Sequence, residues 1–176
     1  TNKNYKYIDL NLLKKVSEIV FVSDENKYIY DSYYDKIKDL KLIGITGTNG
    51  KTTTCYLIYQ MLNLIGIKTA YIGTIGFYID DMVFKIDNTT PEISLLYNML
   101  YYAKKRKCKV VVMEVSSHAL KQDRTYGLLF DSVLVTNITR DHLDYHKTLK
   151  DYIKSKQKLI HLTRCKKICI LNKKDK

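Results

Sequence analysis

Along residues 42–171, unbroken apolar runs alternate with stretches whose apolar residues recur every three or four positions. "LIGIT" (42–46) predicts a buried strand. Ile58, Met61, Leu62 and Ile65 then follow at i, i+3, i+4 and i+7, which predicts a helix closed by Gly66. "KTAYIG" (68–73) predicts a second strand, and "FYIDDMVFKI" (77–86) a hairpin turning at Asp80-Asp81. Thr90 before Pro91 marks a helix start with proline at the first helical position, and this helix runs to about Lys107. "KVVVMEV" (109–115) and "DSVLVTNI" (131–138) predict the third and fourth strands, roughly 148–163 a further helix, and "KICIL" (167–171) a fifth strand. Strands apolar on both sides and separated by helices imply an α/β fold, a mostly parallel sheet with helices on both faces. Ligands of such sheets bind outside the carboxyl ends of the strands.

The unusual residues gather at that edge. "GITGTNGKTTT" (44–54) follows a strand and opens a helix, yet it departs from the common phosphate-loop spelling G-x-x-x-x-G-K-[ST]. Counting back five from Gly50 reaches Ile45 where glycine belongs, with Gly44 and Gly47 on either side. The context still suits phosphate. Gly47, Thr48, Asn49 and Gly50 can turn their N–H groups inward at a helix N-terminus, and Lys51 can reach the outer phosphates. Thr52 offers a hydroxyl for Mg²⁺, and Thr53 continues the hydroxyl run. A tight strand-to-helix turn alone needs neither Lys51 nor those hydroxyls.

Glu114 ends an apolar strand, where a carboxylate can hold Mg²⁺ beside a phosphate loop. "TNITRDHLDYH" (136–146) packs Arg140, Asp141, His142, Asp144 and His146 after the fourth strand. A loop histidine such as His142 serves as a ligand, a hydrogen bonder or a surface residue. Lys156 stands out on periodicity alone. Its neighbours at −4, −3, +3 and +4 are Tyr152, Ile153, Leu159 and Ile160, whereas Lys154 and Lys158 have polar neighbours. A lysine centred on a buried stripe must snorkel, pair or lose its charge, and desolvation makes its amine nucleophilic. "NTTPE" (88–92) and "SSHALKQDR" (116–124) supply hydroxyl, amide and guanidinium groups that serve equally as caps or as donors to an anionic, sugar-like substrate.

Composition narrows the classes. A chain of 176 residues, 45% apolar, can bury one sizeable core, and no apolar run approaches the ~20 residues needed to span a bilayer. The first residues have no apolar block behind a basic start, which predicts no signal peptide. Four cysteines without a CxxC pair fit reduced thiols and a cytoplasmic setting; His161, Cys165 and Cys169 share a four-residue spacing but give only three ligands. The net charge of +12 invites a nucleic-acid reading, but residues 147–176 alone carry eleven Lys/Arg against two Asp, +9 of that total. Solvated helix faces account for these lysines, and neither nucleic acid nor membrane is expected as a partner.

Taken together, "GITGTNGKTTT", "GTIG", "NTTPE", "MEVSSHAL-KQDR" and "TNITRDHLDYH…DYIKSK", in this order over roughly residues 41–160, resemble the Mur ligases of peptidoglycan synthesis, in the branch that adds the third stem-peptide residue. In that family the phosphate loop is spelled G-T-N-G-K-[ST]. The resemblance implies a P-loop, ATP-binding central domain over 41–176, preceded by a shortened N-terminal segment (1–40), with the C-terminal ligase domain absent. It implies that ATP phosphorylates the D-Glu carboxylate of UDP-N-acetylmuramoyl-L-Ala-D-Glu, and that the amine of meso-diaminopimelate or L-lysine attacks the acyl phosphate. It further implies that Lys51 cradles phosphate, that Thr52 and Glu114 hold one Mg²⁺, and that His142 binds a second. Lys156 aligns with a carbamylated lysine that supplies an anionic oxygen. Asn88, Thr89, Thr90, Ser116, Gln122 and Arg124 fall on muramoyl-peptide contacts. As a fragment, the chain is expected not to turn over alone. The rivals are a folylpolyglutamate synthase-like ligase and a nucleotide-dependent binding module.

Overall fold

The computed structural model describes residues 6–8, 25–164 and 169–171. Among these, eight strands form one sheet: β1 (Lys6–Ile8), β2 (Lys41–Thr46), β3 (Thr69–Gly73), β4 (Gly76–Ile79), β5 (Met82–Phe84), β6 (Val110–Glu114), β7 (Ser132–Val135) and β8 (Cys169–Leu171). Their spatial order is β1-β5-β4-β3-β6-β2-β7-β8. Only β4 runs against its neighbours; the other pairings are parallel, so β3, β6, β2 and β7 point their carboxyl ends to one edge. The expected hairpin is β4–β5, with Asp80 in the left-handed region at φ 53°.

Among the described residues six helices accompany the sheet: α1 (Glu25–Ile37), α2 (Lys51–Leu64), α3 (Ile93–Lys105), α4 (Ser117–Lys121), α5 (Leu143–His146) and α6 (Leu149–His161). Successive strand residues face opposite sides, and each side has its own core. Leu42, Ala70, Ile72, Val111 and Met113 pack with Ile29 and Ile37 of α1, Leu96 and Leu100 of α3, and Leu159 of α6. On the other side Ile45, Tyr71, Val110 and Val112 pack with Cys55 and Tyr59 of α2. Tyrosine does aliphatic work here: the rings of Tyr56, Tyr71 and Tyr78 meet edge to face with centroids 5.5–5.8 Å apart. Helices therefore cover both faces, as the pattern predicts. Residues 6–8 pair with β5, and α1 packs Ile29 and Ile37 into the first of these cores.

Two boundaries differ from the pattern for a physical reason. α3 begins at Ile93 with Glu92 as its cap, because Thr90 donates its hydroxyl to the Glu114 carbonyl (2.9 Å) and accepts the Ser116 N–H (3.0 Å). A threonine tied across to β6 cannot cap a helix. β7 stops at Val135 because Thr136 and Asn137 turn their side chains onto the Asn49 carbonyl, at 2.6 and 3.0 Å. Cys165 lies outside the described residues. No described helix is long and apolar enough to cross a membrane.

Candidate active site

The turn from β2 into α2 is built by contact with β7. Gly47 passes so close that a Cβ there would sit 1.9 Å from Thr136 Oγ1. Thr48 accepts the Thr139 N–H at 2.9 Å and shares a 3.0 Å bond with the Tyr152 hydroxyl, while the Asn49 N–H donates to Asn137 Oδ1 at 3.0 Å. Gly50 caps α2 without a capping side chain, so the first N–H groups of the helix gain no bond from their cap and can turn to a ligand. Lys51 folds back over the loop, donating to the carbonyls of Gly47 and Thr48, each at 2.9 Å. Burial pulls its pKa down, with Glu114 and Asp141 opposing. Thr53 is exposed on the outer side of α2.

Glu114 ends β6 and is fully buried. Its Oε1 accepts the Tyr71 hydroxyl at 2.5 Å and the Thr74 N–H at 3.0 Å. Its Oε2 accepts the Thr52 hydroxyl at 3.0 Å and the Thr74 hydroxyl at 3.2 Å. A carboxylate beside a first-turn threonine of the phosphate-loop helix is a hard-oxygen donor set suited to Mg²⁺. Tyr71 and Thr74 escaped the sequence reading; only "GTIG" hinted at this turn. Burial first, and then Glu114, push the Tyr71 phenol far above its ordinary range, so it remains a donor.

Lys156 is 2% exposed on α6. Its ammonium donates to the Gly47 carbonyl at 2.8 Å and lies 4.5 Å from the Tyr152 ring centroid. No carboxylate pairs with it among the described residues. Burial and then the nearby Lys51 bring its pKa down to about 7, with Asp141 opposing. Desolvation of this kind favours the neutral amine, the form that is nucleophilic.

Between these groups opens a cleft of about 310 Å³. Lys51, Asn88, Thr89, Thr90, Ser116, Arg124, His142 and Lys156 line it, together with Ser117, His118 and Tyr152. Arg124 donates to the Thr90 carbonyl at 2.9 Å and pairs with Glu92 at 2.8 Å, while its buried Nε has no partner among the described residues. His142 stands in the left-handed region at φ 51°, its ring edge-on to His118 with centroids 4.9 Å apart. Burial and then His142 lower the His118 pKa. Gln122 stays outside the lining, exposed and donating to the Tyr145 hydroxyl at 3.2 Å. Tyr152 appears in the sequence only as an apolar neighbour of Lys156, and Ser117 and His118 only as parts of a hydroxyl-rich turn.

The Mur ligase middle domain family matches residues 45–176. The chain belongs to the Mur ligase family. It is 50% identical over 119 residues to the UDP-N-acetylmuramoyl-L-alanyl-D-glutamate–2,6-diaminopimelate ligase of Wolinella succinogenes, covering 67% of this chain and 27% of that protein. It is 44% identical over 126 residues to the ligase of the same name from Parabacteroides distasonis, covering 72% of this chain and 26% of that protein. This Mur ligase chain thus spans about a quarter of the length of these relatives. A solved structure of a ligase with that name superposes with a TM-score of 0.68 at 32% identity, over 80% of this chain and 28% of that one. A bifunctional folylpolyglutamate synthase/dihydrofolate synthase, solved with Mn, AMPPNP and L-glutamate, shares the fold at a TM-score of 0.62 and 19% identity, over 91% of this chain and 44% of that one.

Proposed function

We propose that this chain is the nucleotide- and muramoyl-peptide-handling part of an ATP-dependent amide ligase of peptidoglycan precursor synthesis, acting in the cytoplasm. The ligase would join 2,6-diaminopimelate to UDP-N-acetylmuramoyl-L-Ala-D-Glu; L-lysine is the alternative amino acid. The observation that carries this reading is the single cleft onto which the phosphate-loop lysine, the buried Lys156 and the Asn88–Thr90, Ser116 and Arg124 group all open. A phosphate donor and a polar, anionic acceptor can meet there.

Each residue has a task its surroundings suit. Lys51 exchanges the Gly47 and Thr48 carbonyls for phosphate oxygens, and its positive charge offsets the charge that builds on the transferred phosphoryl group. Thr52 and Glu114 would hold one Mg²⁺ and His142 a second, and such ions would offset charge at the phosphate oxygens. Gly47, Thr48, Asn49 and Gly50 turn the backbone about the phosphates, and Thr53 continues the helix start. Arg124 has a buried Nε left for an acidic acceptor, with Asn88, Thr89, Thr90 and Ser116 beside it and Gln122 at its outer margin. The neutral Lys156 amine can attack CO₂ and lose a proton, leaving a carbamate whose oxygens turn a buried cation into an anionic ligand.

Calorimetry with UDP-N-acetylmuramoyl-L-Ala-D-Glu tests the substrate side. Saturable binding, weakened roughly tenfold or more in Arg124→Ala, is expected. Binding of a dihydropteroate-type acceptor in its place would favour the folylpolyglutamate synthase-like reading.

A further inference from the structure

Tyr71 has no part in the phosphate-loop reading, yet its hydroxyl is the shortest contact Glu114 makes, at 2.5 Å. The ring itself is explained by packing, since it is fully buried among Tyr56, Tyr59 and Tyr78. A phenylalanine would fill that place, so the hydroxyl needs its own reason. The phenol O–H donates to Glu114 Oε1, a bond that a phenylalanine could not make. The carboxylate is thereby divided. Its Oε1 is fixed by the phenol and the Thr74 N–H at the end of β3, and its Oε2 faces the hydroxyls of Thr52 and Thr74.

Gly73 gives a second, independent observation. A Cβ there would fall 2.2 Å from Glu114 Oε1 and 2.3 Å from the Tyr71 hydroxyl oxygen. Its backbone lies outside the left-handed region, so the constraint is space alone. The chain leaves a side chain out at the one point where it would separate these two atoms.

We propose that Tyr71 is a positioning residue that locks Glu114 with Oε2 presented to Thr52 and the cation bound beside it. This rests on the nucleotide reading above. Partners that orient a metal-binding carboxylate typically change metal affinity 10- to 100-fold when removed. A phenol reaching from a neighbouring strand does this without entering the cleft.

The test is calorimetric titration of a non-hydrolysable ATP analogue into wild type, Tyr71→Phe and Gly73→Ala, each with saturating Mg²⁺ and with EDTA. The expected result is a Kd raised roughly 10-fold or more with Mg²⁺ in both variants, and within about twofold of wild type in EDTA. Loss of the same size in both conditions would assign the hydroxyl to folding and overturn the proposal. So would unchanged or tighter Mg²⁺-dependent binding in Tyr71→Phe. Absence of binding by a folded wild type would instead overturn the nucleotide reading, and this inference with it.

Discussion

Two ionisable side chains are buried beside the phosphate loop, and they are treated in opposite ways. Glu114, on β6, meets a hydrogen-bond donor at every side: a phenol, a backbone amide and two hydroxyls. Lys156, on α6, has one good acceptor, the Gly47 carbonyl at 2.8 Å, a ring face, and the second ammonium of Lys51 nearby. Burying a charge is costly unless it is paired and hydrogen-bonded. The carboxylate corner is therefore complete as built, whereas the amine corner is held at a cost that a bound or attached anion would relieve. An unfinished buried charge at a cleft marks where a group must still bind or attach, and a finished one marks a side chain already held in place.

The comparison breaks most easily at the finished corner. Glu114→Ala removes four hydrogen bonds to a carboxylate, bonds of a kind worth about 1.5–3 kcal/mol each, and strands the buried Tyr71 hydroxyl. Urea unfolding is expected to show a loss of about 3 kcal/mol or more, and a loss below about 1 kcal/mol would mean the network is not what holds this edge.

At the unfinished corner the sign reverses. The unfolded chain holds the Lys156 proton up to its ordinary pKa of 10.5, and the folded chain only to about 7. Between those values the unfolded state binds more protons, so wild-type stability rises with pH across that window. Lys156→Met lacks this dependence. It is expected to be the more stable protein at pH 7, by on the order of 2 kcal/mol, with the gap closing towards pH 10. Urea midpoints of the two proteins at pH 7 and pH 9.5 check this, and a gap that widens with pH would contradict it.

The smallest effect lies on the frame between the corners. Thr90→Val removes the hydroxyl that joins Glu114 O to Ser116 N and should cost about 1–2 kcal/mol, read as a lower melting temperature. Equal stability would contradict the tie to β6.

These corners were unequally legible in the sequence. Lys156 stood out because helical periodicity alone places Tyr152, Ile153, Leu159 and Ile160 around it. The phosphate loop was legible from its glycines, lysine and hydroxyls between a strand and a helix, and the parallel sheet from its unbroken apolar strands. The Tyr71–Glu114 bond was not, since alternation assigns a strand residue to a face but not its hydroxyl to a partner 43 positions away. Helix α1 was hidden for another reason. Its buried side mixes Ile29 and Ile37 with the part-buried Tyr30 and Tyr33, and tyrosine gives a weak apolar signal in a segment whose other residues are Asp, Lys, Glu, Asn and Ser. Thr90 misled as a helix cap because its hydroxyl is engaged across the sheet, a contact that no local pattern encodes.

The most direct measurement is Mg²⁺-dependent binding of a non-hydrolysable ATP analogue by calorimetry, on wild type and on Lys51→Ala. The loop geometry predicts saturable binding by the wild type and at least a tenfold loss in the folded variant, since Lys51 supplies the one cation bonded directly to the loop from within α2. A folded wild type that binds no nucleotide, or a Lys51→Ala chain that binds as well as wild type, would contradict the assignment of this loop as the phosphate cradle.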